Sequence, residues 1–241
     1  MTPATTARPL RWLGATALLA LLSCGVARAA EPVEFWPELN LFETLGPTTR
    51  LYFVAATGAG RESPLKTLDV AAYFDLTLRP RPLFRQSLQE EDWRRNRYLW
   101  LRVGYDHTFR LESETGTLTA PEDKGIVALS ARAYLPEAIV FEGRARADLR
   151  WIEGDYSTRY RLRGELNRDF NVAGHVVTPW LQAEVFYDTR YDGWARHLYQ
   201  AGAEIAVTPR FRLEPSLARQ VDLLPTYSGL WAFAFVARWY Y

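Results

Sequence analysis

Apolar and polar residues alternate along most of the chain after residue 30. Between residues 141 and 151 every odd position is uncharged, whereas the even positions are Glu, Arg, Arg, Asp and Arg. Successive side chains of a β-strand point to opposite faces, so this period of two predicts strands with one charged and one uncharged face. The segments that we predict as strands are 35–43, 51–56, 68–79, 98–110, 126–135, 141–151, 159–166, 181–188, 199–207, 211–217 and 230–241.

The uncharged faces are rich in small residues, as at Gly143, Ala145, Ala147, Ala201 and Ala203. A soluble β-sandwich shows the same alternation, but it turns its apolar side inward, where large side chains are needed to fill the core. Lipid conforms to small side chains, and about ten residues suit a tilted transmembrane strand. We therefore predict an all-β fold, and specifically a transmembrane antiparallel up-and-down β-barrel of about 10–12 strands. A soluble all-β domain is the less favoured alternative.

Aromatic residues make up 14% of the chain, with 9 Trp and 13 Tyr. Soluble domains seldom carry so many amphipathic rings, whereas membrane interfaces collect them. Several of these rings stand at the ends of predicted strands, as expected for the two aromatic girdles of a barrel. They are Tyr98, Phe141, Trp151, Tyr156, Tyr187 and Tyr199.

The first segment has the features of a cleaved signal peptide. Arg8 and Arg11 precede the apolar run WLGATALLALLSCG, and Ala-Arg-Ala at 27–29 is a small-x-small cleavage pattern. Cleavage there leaves a signal peptide, 1–29, and a single barrel domain, 30–241. The one cysteine of the chain, Cys24, is either removed with the signal peptide or a lipidation site in the loose lipobox Leu-Leu-Ser-Cys.

Counting strands back from the C-terminus assigns the loops to two rims. The chain ends in Trp-Tyr-Tyr at 239–241, which is similar to the C-terminal recognition signal of bacterial outer-membrane proteins, so the last strand should finish at the periplasmic rim. Residues 136–138 and 208–210 then become short periplasmic turns, and 112–124 and 189–197 become longer extracellular loops. Short inside and long outside is the asymmetry expected of such barrels.

Two features fit this topology less well. Residues 80–96 would form a long periplasmic connector, with a short helix at 84–93. Residues 35–43 would be an eleventh strand, whereas a closed antiparallel barrel needs an even number. We therefore expect either ten strands with 35–43 outside the barrel, or twelve.

The densest charge pattern lies on both arms of a predicted hairpin. Gly154 and Asp155 are predicted as its two-residue loop. The resulting register places Arg150 opposite Arg159, Asp148 opposite Arg161, Arg146 opposite Arg163, and Arg144 opposite Glu165. Two of these pairs are opposite in sign, and the other arginines need acids from Glu142, Glu184 or Asp188. A three-residue turn before this hairpin would also set Arg132 opposite Glu142.

These charges are the candidate functional site, a set of lumen-lining side chains. They form either a structural wall of cross-strand salt bridges or a constriction with surplus positive charge that favours a small anionic solute. The predicted lumen residues are Arg102, Arg132, Glu142, Arg144, Arg146, Asp148, Arg150, Arg159, Arg161, Arg163, Glu165, Glu184 and Asp188.

Catalytic and metal chemistry find no support in the motifs. His107 falls at a strand end, His175 in a turn and His197 beside a loop, and Asp106 and His107 point to opposite faces of one strand. There is no Gly-x-Ser-x-Gly, no zinc-like spacing of His, Cys and Asp, and no phosphate loop. We therefore predict no catalytic residue, no metal, no cofactor and no enzyme activity.

Charge also excludes a strong nucleic-acid footprint. The chain has 29 basic and 28 acidic residues and a net charge of +1, whereas nucleic-acid-binding domains are strongly basic. Of the basic residues only Lys66 and Lys124 are lysine. The residues between the arginines of 159–163 are not a stacking platform for bases, and nearby acids interrupt the positive patch.

Three stretches, FWPELNLF, EEDWRRNRYLWLRVGY and FYDTRYDGWARHLYQAGAEI, resemble an uncharacterised family of bacterial outer-membrane proteins, domain-of-unknown-function family 2490. The resemblance spans most of the mature chain. It implies a β-barrel in a Gram-negative outer membrane, and it implies no substrate and no site residues.

The predicted partners are outer-membrane lipid and, through the C-terminal aromatic strand, the barrel assembly machinery. The principal functional prediction is a small channel or solute-binding barrel with an arginine-rich, salt-bridged lumen. A structural or assembly barrel with a plugged lumen is the alternative, followed by an outer-membrane hydrolase acting on lipid or peptide.

Overall fold

A computed structural model of the protein describes residues 32–60, 66–80, 97–111, 121–223 and 229–241. These residues belong to one compact unit, Pro32–Tyr241, which is built almost entirely of β-strands. Among them, no helix has the length and apolar character needed to cross a membrane. The predicted signal peptide, the connector helix at 84–93 and residues 112–120 of one predicted loop lie outside the described residues.

Every segment with the alternating pattern forms a strand, and most strands extend beyond the predicted bounds. A single short 3₁₀ turn, Pro136–Ala138, occurs within the described ranges. The strands are β1 (Val33–Thr44), β2 (Thr49–Gly60), β3 (Lys66–Pro80), β4 (Arg97–Leu111), β5 (Glu122–Tyr134), β6 (Ile139–Ile152), β7 (Asp155–Arg168), β8 (Phe170–Val172), β9 (His175–Asp188), β10 (Gly193–Ala206), β11 (Phe211–Asp222) and β12 (Leu230–Tyr240).

The barrel closes with an odd number of strands. The short β8 continues β7 beyond a break at Asp169 and pairs only with β9, so the described residues form a ring of eleven strands. Each neighbour in the ring is antiparallel except at the closing seam, where β1 and β12 run parallel from Val33↔Trp231 to Phe42↔Tyr240. The all-β barrel is confirmed. The expectation of an even number is wrong, because a parallel seam lets an odd number of strands close.

The pleat sorts side chains into a lumen and an outer surface. Leu162, Val127 and Phe233 point outward and are 56%, 44% and 58% exposed. Their strand neighbours of opposite parity point inward and are largely buried, including many charged residues. The main apolar cluster also lies in the lumen, where Phe42, Tyr52, Tyr73, Ile126 and Tyr240 pack together.

The turn between β6 and β7 corrects the predicted register. Glu153 and Gly154 form its two-residue loop, with φ of 55° and 91°, as a hairpin turn of type I′ requires at both central positions. Glycine therefore takes the second loop position, and the loop lies one residue earlier than predicted. Every partner on β7 moves by two residues, so that Arg150 pairs with Ser157 instead of Arg159.

The two rims carry turns of similar length in the described residues. The rim where β12 ends, here called the C-terminal rim, holds the predicted short turns that follow β5 and β10. At the opposite rim, the segment after β9 is only 189–192, because β10 already begins at Gly193. The predicted long loop at 189–197 is therefore wrong. Residues 122–124, predicted as the end of another loop, belong to β5.

Candidate functional site in the barrel lumen

A cavity of about 510 Å³ lies in the lumen. Eleven of the thirteen predicted lumen residues line it; the other two, Arg150 and Asp188, are buried in the lumen but do not form its wall. The eleven are Arg102, Arg132, Glu142, Arg144, Arg146, Asp148, Arg159, Arg161, Arg163, Glu165 and Glu184.

Like-charged residues face each other across β6 and β7. Arg144 is opposite Arg163, and Arg146 is opposite Arg161; of the four predicted pairs, none has its predicted partner. Glu184 of β9 compensates this charge, because its carboxylate accepts hydrogen bonds from Arg144 Nη2 at 3.0 Å and from Arg161 Nε and Nη2 at 3.0 and 2.9 Å. One acid therefore holds an arginine from each arm of the hairpin.

Two further acids repeat this arrangement. Glu142 accepts from Arg132 Nη2 at 2.6 Å and from Arg163 Nη2 at 2.8 Å, and Arg132 is opposite Glu142 as predicted. Asp148 contacts Arg146 and lies 3.6 Å from Arg161. The result is two adjacent networks of ion pairs on the wall formed by β5, β6, β7 and β9.

A separate group of charges lies closer to the opposite rim. Asp188 is fully buried and accepts from Arg150 Nη1 at 2.5 Å and from Arg159 Nη2 at 2.9 Å. Arg150 also contacts Glu122 of β5. Because Asp188 follows Glu184 by four residues on the same face of β9, one strand supplies acids to both groups.

Sequence reasoning missed the most buried ion-pair cluster. Asp75 of β3 has no exposed side-chain surface and accepts from Arg50 Nε at 3.1 Å, Arg97 Nη1 at 3.0 Å and Arg102 Nε at 2.7 Å. Of these four residues only Arg102 was predicted as a lumen residue. Strand parity places Asp75 on the charged face of 68–79, and this signal alone could have identified it.

A second missed cluster joins β10, β11 and β12. Glu204 accepts from Arg212 Nη1 at 2.8 Å and from Arg238 Nη1 at 2.7 Å, and Arg238 Nη2 also reaches Glu214 at 2.7 Å. The charges within this cluster therefore compensate each other.

Aromatic rings stack within the lumen toward the C-terminal rim. Phe42 stacks on Tyr52 at 4.5 Å and on Tyr240 at 4.6 Å, and Tyr52 stacks on Tyr73 at 5.2 Å. The Arg50 guanidinium lies 4.4 Å from the Phe42 ring centre. The Phe42–Tyr240 contact crosses the seam, so the stack joins the first and last strands.

The cavity wall carries more positive than negative groups. Its described lining contains eleven basic and nine acidic side chains. The Nε atoms of Arg144 and Arg163 and the Nε1 atom of Trp180 are buried without a hydrogen-bond partner among the described residues. A buried donor without a partner is costly, so each of these three groups would gain from donating a hydrogen bond to a ligand oxygen that reaches it.

The histidines do not assemble a catalytic set within the described ranges. As predicted, Asp106 and His107 point to opposite faces, Asp106 to the lumen and His107 to the outer surface. His107 Nδ1 instead lies 2.7 Å from Asp123 Oδ1 of the next strand. Tyr105 contacts the same carboxylate. His175 lies 3.3 Å from the Ala206 carbonyl oxygen, and His197 packs edge-on against Tyr199. No group of three or more His, Cys, Asp or Glu in the described residues could hold a metal.

Comparison with known proteins finds similarity to solved structures. No family model and no curated protein sequence matches the chain. The chain is similar to the β domain of the Bordetella autotransporter BrkA, with 15% identity and a TM-score of 0.47, over 80% of this chain and 82% of that one. At so low a score, the class of the protein, a closed β-barrel with a salt-bridged lumen, rests on its own strand pairing.

Proposed function

We propose that the protein spans the Gram-negative outer membrane and that its lumen admits and binds small anionic solutes. The observation that carries this proposal is the cavity wall of β6 and β7, where two arginine pairs face each other directly. Arginine stays charged in any environment that a protein offers and forms bidentate bonds to oxyanions. A confined wall with surplus arginine therefore favours anions over cations.

The outer surface supports insertion in lipid. It combines exposed aliphatic residues, such as Leu162 and Val127, with aromatic residues near both rims, such as Trp151 and Trp239. This is the pattern of an apolar band between two aromatic girdles. Lipid and the barrel assembly machinery, engaged by β12, are the partners we propose, and membership of family 2490 is a proposal that rests on the three resembling stretches.

Planar-bilayer recordings across a tenfold KCl gradient test the lumen proposal. We expect channel currents whose reversal potential has the sign for chloride selectivity. Replacing Arg144 and Arg161 with glutamine should move that potential toward zero, because both residues line the cavity. Arg168→Gln, at a half-exposed position near the rim and outside the cavity lining, should leave it unchanged. Unselective or cation-selective current in the unmodified protein would contradict the proposal.

A sealed structural barrel is the second candidate. The aromatic stack of Phe42, Tyr52, Tyr73 and Tyr240 and the three-arginine cluster around Asp75 favour it, because both fill the lumen with packed side chains. Its expected result is heat-modifiable electrophoretic migration, typical of a folded barrel, together with currents no larger than those of a protein-free bilayer.

A further inference from the structure

The lumen has two chemically different walls that face each other. In the ring of eleven strands, β6 is five strands from β12 in one direction and five from β1 in the other. The arginine-rich strand therefore lies across the lumen from the seam between β1 and β12. Residues of both walls line the cavity.

The seam wall brings a patch of apolar side chains to the cavity, beside the polar residues Glu38, Asn40 and Arg238. Ala234 and Val236 of β12 and Val54 and Ala56 of β2 line it, together with Trp36 of β1. Trp36 already donates its Nε1 hydrogen to Glu34 at 2.6 Å, so the ring offers apolar surface to the cavity. Small side chains leave space here that an apolar ligand group can fill.

The arginine wall offers matching donors for one oxyanion. Arg144 and Arg163 are directly opposite each other, both line the cavity, and each has a buried Nε without a partner in the described residues. Their Nη2 atoms are bound to Glu184 and Glu142, respectively. A carboxylate bound at this arginine pair would offer acceptors to these donors and add to the charge compensation of the pair.

One acid restricts the opposite end of the ligand. Glu38 of β1 borders the cavity between the apolar residues of the seam wall, where its carboxylate accepts from Asn40 Nδ2 at 2.8 Å. Among the described residues no cation is paired with it. A second anionic group at this end of the ligand would meet like charge and apolar surface, both of which oppose its binding.

We propose that the lumen binds an organic monoanion with an apolar body, its carboxylate at Arg144 and Arg163 and its body against the seam wall. This inference rests on the proposed function and narrows it, because it distinguishes an amphipathic carboxylate from a small inorganic or short-chain anion. The cavity, at about 510 Å³, is within the size range of small-molecule sites.

Equilibrium dialysis of radiolabelled octanoate against the purified barrel in lipid nanodiscs tests the proposal, with empty nanodiscs measuring partition into lipid. We expect saturable binding. Unlabelled acetate and octanedioate should compete at least about tenfold more weakly than octanoate, acetate because it lacks the apolar body and octanedioate because it adds a second charge at Glu38.

Variants on β12 and β6 test the contribution of each wall separately. Ala234→Leu fills the apolar side of the cavity and should weaken the binding of octanoate about tenfold. The affinity for acetate should stay unchanged. Ala237→Leu, which faces outward on β12 and does not line the cavity, should change neither. Arg144→Gln should weaken octanoate and acetate together, because it removes a donor to the shared carboxylate.

The outcomes distinguish this inference from the proposed function. Acetate that competes as well as octanoate would overturn the apolar-body assignment and leave an anion-binding lumen intact. Octanedioate that competes as well as octanoate would overturn the monoanion assignment. If none of the three anions binds saturably while the barrel remains folded by heat-modifiable migration, the anion-binding lumen is overturned as well.

Discussion

Asp75 shows how one residue determines the charge balance of a barrel interior. Its carboxylate is fully buried and shared by Arg50, Arg97 and Arg102 from β2 and β4. Desolvation of four charged groups is costly, and the cluster is stable only because the acid compensates the arginines that surround it. Removal of the acid takes away a carboxylate that three buried cations share, which is a larger penalty than the loss of any one hydrogen bond.

We therefore expect Asp75→Asn to lower the free energy of unfolding by about 3 kcal/mol or more. Urea titration of the barrel in micelles, followed by tryptophan fluorescence, measures this change. Glu43→Gln provides the control, because Glu43 is an exposed carboxylate at the end of β1 and its replacement should leave the midpoint unchanged. An Asp75→Asn midpoint equal to that of the unmodified protein would show that the cluster does not need its acid.

At the scale of elements, the β6–β7 hairpin depends on its turn. Glu153 and Gly154 both have positive φ, and this turn sets the register that brings Arg144 opposite Arg163. A shift of the loop by one residue would place Glu165 opposite Arg144 and Arg163 opposite Arg146, so it would change which arginines face each other. The turn therefore determines which arginines are paired, whereas strand parity places them on the cavity wall.

Gly154→Ala should destabilise the barrel by about 1–2 kcal/mol, because a residue with a Cβ atom is strained at φ of 91°. The added methyl group would meet no atom within 4 Å, so the effect isolates backbone strain from packing. The matched control is Gly143→Ala in β6, which adds a methyl group at an outward position in ordinary contact with Phe141. Urea midpoints of the two variants should differ, and equal midpoints would contradict the role of the turn.

At the scale of the whole molecule, the parallel seam is the feature that closes the ring. β1 and β12 are in register over ten residue pairs, and backbone hydrogen bonds at both ends, from Trp231 N to the Pro32 oxygen and from Tyr241 N to the Phe42 oxygen, extend the pairing. Across the seam, the lumen holds small β12 residues and the Phe42–Tyr240 stack.

A cysteine pair can test this closure. The one native cysteine, Cys24, is first replaced by alanine. In this background, the double variant Leu39→Cys and Ala237→Cys should form a disulfide on oxidation, because the two positions are directly opposite on the outer face. Leu39→Cys with Val236→Cys should not, since Val236 points into the lumen. Electrophoresis after cleavage between the two cysteines reads out the bond. Its absence in the first variant would contradict the parallel pairing of β1 with β12.

Residue patterning by itself determined the strands, their two faces and the β-barrel class, because the β-pleat converts a period of two into one outward-facing and one lumen-facing surface. This local rule correctly assigned all eleven ring strands and placed Arg144, Arg163 and Glu184 on one face. It did not determine which acid meets which arginine. Glu184 reaches both arms of the hairpin, and Asp75 gathers three arginines, only through contacts between strands.

The tertiary structure alone decided the register, the parallel closure and the sharing of acids. Each depends on groups that are distant in sequence. A loop shifted by one residue changes every pairing partner on β7. Whether the ring holds an odd or an even number of strands depends on the direction in which Val33–Thr44 pairs with Leu230–Tyr240. Pairing energies in a confined lumen depend on which charges share it, and alternation along a single strand carries no information about them.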